Sequence, residues 1–281
     1  MKVTKKKLLE APSNNTAIVT HIDPDGDGLP ASLALKWIMR SLNIETDFIL
    51  EEGCSEIYNY LDCDDNVKIY NSDMIYQTLI LVDCHEKNRI GKCKSLIKYA
   101  NQIITIDHHP QNSLIHNSHN LIKPNFVSAG AIIFDIFENE INDLDFIERE
   151  KIVAALYTTF LNDSGNFTNA NMDSRTFEMS AKLVKLGLIP GDVSKYFLSN
   201  KPINQMKFVG EVLSTIQTFD NEQIVFIEST KEMLKRNNLN KDATSSMTNW
   251  IKGTRNTKVI VYFREIDEKV YKLSLRSKFI N

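Results

Sequence analysis

The residues of this 281-residue sequence that could do chemistry fall almost entirely just after short apolar runs. The first cluster is HIDPDGDG at 21–28, which offers His21, Asp23, Asp25 and Asp27 on one turn. Asp83 closes the run LILV, Asp107-His108-His109 closes IITI, and Asp163 stands in FLNDSGNF after an apolar helical stretch. Imidazole and carboxylate ligands without thiolate suit a hard or borderline divalent ion such as Mn²⁺ or Mg²⁺, and so many carboxylates exceed what one ion needs. Two ions about 3.5 to 4 Å apart and bridged by a carboxylate share a hydroxide nucleophile and neutralise a phosphoryl group during in-line displacement. The chemistry expected of such a set is hydrolysis of a phosphoester or phosphoanhydride. Any single Asp here, Asp23 above all, is more often a turn or N-cap residue. Four clusters at successive element ends are not explained that way.

The elements that must position these residues can be read from periodicity. Residues 16–21 (TAIVTH) are a β-branched apolar run ending in a glycine-containing turn, and 31–42 carries apolar residues at helical spacing, giving strand, loop and helix. Residues 45–50 and 78–82 read as buried strands, 92–100 as a helix and 102–106 as another strand. The alternation predicts an α/β fold with a doubly wound, mostly parallel sheet, whose carboxyl edge is where ligands bind. From about 128 to 217 the pattern turns helical, with helices expected at 129–140, 147–161, 173–187, 191–198 and 203–217. These should cover a sheet face and then lead away from it. Strands return at 223–228, 257–263 and 269–275, so a smaller α+β unit is expected to begin near Lys201-Pro202.

Composition bounds the function classes. With 42% hydrophobic and 25% charged residues, collagen-like, low-complexity and transmembrane readings fall away. The 33 Lys and Arg against 36 Asp and Glu leave a formal charge of −3, so no global positive field draws in long duplex nucleic acid by counterion release. A short or nucleotide-sized substrate remains open. Cys54, Cys63, Cys84 and Cys93 stand too far apart for a CxxC knuckle, and the N-terminus has no long apolar core. The expectation is a cytoplasmic protein, with free thiols and no membrane partner. Other candidates read as bland: His116 and His119 as a solvated loop, Lys5 to Lys7 as a solvated face, and Cys84 as a packing residue. His85 and Glu86 can line a cleft beside Asp83, although Arg89 is as ready to pair locally.

Taken in order, the motifs resemble the DHH phosphoesterase superfamily, and within it the NrnA-like oligoribonuclease and nucleotide-bisphosphate phosphatase branch. HIDPDGDGLPAS resembles the family's HxxPDGDxxGS, LVDC its strand ending in Asp, TIDHHP its eponymous triplet and NDSGNF its DTGxF. A similar NxxxxRTxExxxxLxxxG stretch follows at 171–187, so the likeness spans most of 16–187. The resemblance implies one ion held by His21 and Asp25, another by Asp27, His108 and Asp163, and Asp83 bridging them. It implies that Asp107 orients His108 through its free ring nitrogen, and that His109 faces the substrate phosphate. Mn²⁺ is the first expectation for both ions, with Mg²⁺ or Co²⁺ as alternatives.

The implied reaction releases nucleoside monophosphates from short oligoribonucleotides, or AMP from 3′-phosphoadenosine 5′-phosphate. Rivals within the superfamily are a cyclic or linear dinucleotide phosphodiesterase, a pyrophosphatase and an exopolyphosphatase. A rival of another class is a non-catalytic nucleotide-binding protein. The implied domains are a catalytic one at 1–188, a linker at 189–202 and a substrate-binding one at 203–281, with a cleft between them and a homodimer as the candidate assembly. Two departures stand out. Pro30-Ala31 replaces the family's Gly-Ser, and proline suits the first turn of a helix. The family's glycine-rich GGGH segment would follow KLSLRSK (272–278), whereas this sequence stops at Asn281, read either as naturally short or as truncated. Arg276 matches the family's substrate-contacting arginine, its alternative being a surface arginine on an edge strand.

Overall fold

The computed structural model describes residues 1–110, 114–115, 118–244 and 247–277, with the side chain of residue 242 left aside. The chain divides into two compact units, Met1–Ser199 and Asn200–Asn281. In the first, the order is α1 (Lys2–Leu9), β1 (Thr16–Val19), α2 (Gly28–Ser41), β2 (Asp47–Leu50), α3 (Cys63–Asn66), β3 (Val67–Ile69), β4 (Thr78–Val82), β5 (Gln102–Asp107) and β6 (Ser118–Ile122). The helices α4 (Ala129–Asp143), α5 (Phe146–Asp163), α6 (Ser174–Lys185) and α7 (Pro190–Phe197) follow. Two 3-10 stretches, Glu56–Leu61 and Lys87–Lys98, complete the described part of the unit.

Strands β1 and β4 are buried at every position, as uniformly apolar β-branched runs in a two-faced sheet must be. They lie side by side at the middle of a parallel sheet of order β3-β2-β1-β4-β5-β6 among the described residues. The chain winds outward one way from β1 and the other way from β4. Between those two strands, at their carboxyl ends, the crossovers diverge and leave a crevice. One face carries the main core, in which Leu33, Ile38, Phe134, Phe137 and Phe160 from α2, α4 and α5 bury against Ile18, Ile80 and Ile104. The other face is closed by the Lys87–Lys98 stretch, whose Ile90, Cys93 and Leu96 cover Ala17, Val19, Leu79 and Leu81. This is the doubly wound α/β fold that the alternation predicts.

Several local expectations are corrected. The helix expected at 92–100 is 3-10 in geometry and begins at Lys87, interrupted at Gly91 where φ is +55°. His119 does not lie in a loop but in β6, with its Nε2 3.0 Å from Thr4 Oγ1. His116 lies outside the described residues. Lys5 is not simply solvated, because α1 brings its ammonium within 2.6 Å of Glu140 on α4. Cys54 and Cys63 are not free thiols: they are joined in a disulfide, their Cα atoms 6.1 Å apart. The 3-10 turn over Glu56–Leu61 and a left-handed Asp62 at φ +47° bring the chain back on itself there, which no CxxC spacing announces. Cys84 and Cys93 are free and buried, and burial pushes both thiols up to about 12.

The second unit contains α8 (Ile203–Leu213), β7 (Gln217–Phe219), β8 (Ile224–Ser229), α9 (Lys231–Arg236), α10 (Asn249–Lys252), β9 (Val259–Asp267) and β10 (Val270–Ser277). Its sheet, of order β10-β9-β8-β7, pairs β8 with β9 in parallel and its other neighbours antiparallel. Phe208 and Val212 of α8 bury against Val225, Ile227 and Ile260. Among the described residues no helix is long and apolar enough to cross a membrane.

Candidate metal centre

The turn after β1 is built to hold its donors still. His21 Nδ1 lies 2.8 Å from the carbonyl oxygen of Ile22, which can only accept, so Nδ1 carries the hydrogen and Nε2 is the atom turned to the crevice. Asp25 Oδ1 accepts from the backbone amides of Asp27 (3.0 Å) and Gly28 (3.3 Å), fixing the start of α2. Gly28 is needed there, since a Cβ would sit 2.3 Å from Thr20 Oγ1 and 3.1 Å from His21 Nε2. Pro30 takes its place in the first turn of α2 as expected.

Asp27 is fully buried and its carboxylate accepts from the amides of Ala129 (2.7 Å) and Gly130 (3.1 Å) at the N-terminus of α4. Those are orphan donors of a helix start, where the dipole favours negative charge. Ser128 caps the same helix by accepting from Ala131 N at 3.0 Å. The chain thus joins the turn after β1 to the helix that follows β6.

Asp83, at the end of β4, is buried and adopts a left-handed φ of +57°, while its amide donates to Ile106 O at 2.9 Å. A strained backbone of this kind persists where surrounding structure fixes it. It sets the carboxylate among three imidazoles: Oδ2 is 3.4 Å from His21 Nε2, and Oδ1 is 3.6 Å from His108 Nε2 and 3.3 Å from His109 Nδ1. His108 Nε2 also lies 2.9 Å from Asp163 Oδ2 at the end of α5 and 3.5 Å from Asp27 Oδ2. Asn162 Nδ2 donates to the other Asp163 oxygen at 2.7 Å. Donor atoms of His21, Asp25 and Asp83 all lie within 4.8 Å of one another, and so do those of Asp27, His108 and Asp163.

The electrostatics describe a site short of positive charge. Burial, then the carboxylates of Asp83 and Asp163, push the Asp27 carboxyl well above the ordinary range, and burial raises Asp163. Burial alone would lower the imidazoles, yet Asp25 and Asp83 raise His21 to about 10, and Asp163 raises His108. The neighbouring carboxylates of Asp107 and Asp83 raise His109 to about 10. His21 Nε2, His108 Nε2 and Asp83 Oδ1 are buried without a hydrogen-bond partner among the described residues. Unpaired buried polar atoms are costly, and these point into one space lined by carboxylates. The donor set is nitrogen and oxygen only, so the residues present fit divalent cations of the Mn²⁺ or Mg²⁺ kind.

Not every expected role matches the geometry. Asp107 does not bond His108: its Oδ1 accepts from the His109 amide (3.0 Å) and ring Nδ1 (2.9 Å), and its Oδ2 from His85 Nδ1 at 2.5 Å. His108 points the other way, toward Asp27 and Asp163. His85, expected to line a cleft beside Asp83, is only 3% exposed and is bonded to Asp107 of the triplet. Its signal was position, two residues past a strand-ending Asp. Asp23 is exposed, takes a left-handed φ of +48° in the turn and stands outside the donor groups. Arg276 belongs to the second unit, exposed on the edge strand β10, with its guanidinium on the Leu275 carbonyl at 3.1 Å.

Residues 15–160 match the family described as DHH family, N-terminal domain. A bifunctional oligoribonuclease and PAP phosphatase NrnA of Thermus thermophilus is 25% identical over 216 residues, which cover 75% of this chain and 61% of that protein. The chain therefore spans less than two thirds of that relative's length. The protein of the same description from Mycoplasma genitalium is 23% identical over 265 residues, covering 94% of this chain and 81% of its own. Among solved structures, an exopolyphosphatase-related protein from Bacteroides fragilis superposes with a TM-score of 0.86 at 19% identity, covering 99% of this chain and 84% of that one. That likeness speaks for the fold.

Proposed function

From the premise that this chain belongs to the DHH family, we propose that it is a metal-dependent phosphoesterase. We further propose that it hydrolyses short oligoribonucleotides to nucleoside monophosphates, or 3′-phosphoadenosine 5′-phosphate to AMP. The observation that carries the reading is the convergence of His21 Nε2, His108 Nε2 and Asp83 Oδ1, buried and unpartnered, on a space lined by carboxylates. His21 and Asp25 would hold one divalent ion, Asp27, His108 and Asp163 the other, and Asp83 would touch both. Bound there, the ions would supply a nucleophile derived from water at neutral pH and neutralise phosphoryl charge.

The chain's own residues do the rest. Asp27, pinned by two amides of α4, and Asp25, pinned by the amides of Asp27 and Gly28 at the start of α2, hold donor positions without reorganising as the reaction proceeds. His109 is partly exposed, with its side chain 42% accessible, and Asp107 keeps a proton on its Nδ1. Held cationic at neutral pH, it meets a phosphoryl oxygen and stabilises the charge that grows there. The substrate class is supported by the descriptions of the relatives, and the absence of a global basic field favours substrates of a few nucleotides. Arg276 is the proposed anchor for a nucleotide phosphate in the second unit, through the planar fork that suits phosphate.

Product analysis tests this reading. With Mn²⁺ present, the purified chain should release AMP from pApA and from 3′-phosphoadenosine 5′-phosphate, and a chelator should stop it. Phosphate release from pyrophosphate alone would move the assignment to the phosphoanhydride branch. Nucleotide binding without product would favour a binding protein, and chelator-insensitive turnover would remove the metal from the account.

A further inference from the structure

His85 is a buried imidazole that the reading above leaves without a task. It is 3% exposed and stands two residues beyond Asp83, whose left-handed turn carries the chain back toward the end of β5. Its Nδ1 lies 2.5 Å from Asp107 Oδ2. A carboxylate only accepts, so the hydrogen belongs to the ring. The second Asp107 oxygen accepts from the amide and from ring Nδ1 of His109, at 3.0 and 2.9 Å. Asp107 has no solvent exposure of its own. One carboxylate is therefore clamped between two imidazoles, one internal and one at the opening of the site.

We propose that His85 is a positioning residue: by holding one oxygen of Asp107 it keeps the other aimed at His109, and so sets the ring that meets the substrate phosphate. This rests on the phosphoesterase reading. Without the clamp, Asp107 keeps a buried, charged oxygen that lacks a donor, and the carboxylate is free to turn about its Cβ–Cγ bond toward any donor it can find. Partners that orient an active-site group from behind are worth about 10- to 100-fold in function when removed.

Two substitutions separate positioning from mere packing. In Asn the side-chain amide nitrogen stands where Nδ1 of histidine does, so His85→Asn keeps the donor, whereas His85→Leu keeps bulk without it. With pApA and Mn²⁺, kcat of His85→Leu should fall about 10- to 100-fold while KM and bound Mn²⁺ per chain stay within about twofold. His85→Asn should recover most of kcat. In the Mg²⁺-loaded protein, the ¹⁵N signal of His109 Nδ1 should move in His85→Leu and return in His85→Asn. An unchanged kcat in His85→Leu, an equal loss in both variants, or a loss that follows the metal content would overturn the proposal. A wild-type chain that turns over none of the phosphate substrates would instead remove the phosphoesterase reading, and the His109 ring signals alone would then decide for or against the clamp.

Discussion

Asp25, Asp27, Asp83, Asp107 and Asp163 share one neighbourhood with His21, His108 and His109, and burial there disfavours the charged forms of Asp27 and Asp163. Asp163 has its carboxyl pKa raised, chiefly by burial, so its ionised form weakens the fold at neutral pH. Asp163→Asn should therefore melt higher than wild type without metal, because the neutral side chain no longer carries that burial penalty. The same variant should lose most of the stabilisation that Mn²⁺ gives the wild type, and thermal melts with and without Mn²⁺ check both halves. The pH dependence of metal binding follows from His21, raised to about 10 before any metal is bound. Below that value a proton occupies the ring and must leave when a cation enters, so apparent affinity rises with pH, about tenfold per unit for each proton expelled. Calorimetric Mn²⁺ titrations between pH 6.5 and 8.5 should show that slope, and a flat profile would contradict it. Asp107 works in the opposite sense: despite burial, its bonds to His109 and His85 hold it at about 2. Its contribution to stability is present above its ordinary 3.8 and lost as pH falls toward 2, which acid unfolding of the metal-free chain will read.

At the scale of elements, what matters is how separate strand and helix ends are tied together. The amide of Gly130 reaches Asp27 at a point where α4 packs tightly on α5, since a Cβ at Gly130 would lie 2.2 Å from Thr159 Oγ1. Gly130→Ala should destabilise the chain by about 1 to 3 kcal/mol, as overpacking does, and should weaken metal binding by moving the helix start away from Asp27. Urea unfolding and Mn²⁺ titration of the same preparation test it, and an unaltered midpoint would show that α4 and α5 have room to adjust. Much of this arrangement was legible in the sequence. The strands β1, β2, β4 and β5 announced themselves as apolar runs, and the chemistry-bearing residues stood at the ends of β1, β4 and β5. The elements that escaped notice carry no such run: β3 and β6 are short sheet edges with polar residues, and α1 shows lysines where a helix was not expected. His85 escaped because its task depends on the backbone of Asp83, and a left-handed aspartate is set by tertiary contacts rather than by its neighbours in sequence. Asp107 turns to His109 rather than to His108, and spacing within Asp107-His108-His109 does not say which ring turns back.

At the scale of the molecule, every donor of the candidate centre lies in the unit Met1–Ser199, and Arg276 lies in the other. Metal binding and nucleotide recognition should therefore separate by mutation. Arg276→Ala should raise KM for pApA about tenfold, the loss of one charge-assisted phosphate contact, while leaving Mn²⁺ affinity untouched. Steady-state kinetics beside a metal titration will show whether both move together. The central claim is narrower than any substrate: these side chains form a centre for two ions that share Asp83. The most direct measurement is Mn²⁺ stoichiometry by calorimetry and electron paramagnetic resonance, in the wild type and in Asp83→Ala. Two Mn²⁺ per wild-type chain with mutual spin coupling are expected, and loss of that coupling in the variant. A single uncoupled ion in the wild type, or two coupled ions that persist without Asp83, would contradict it.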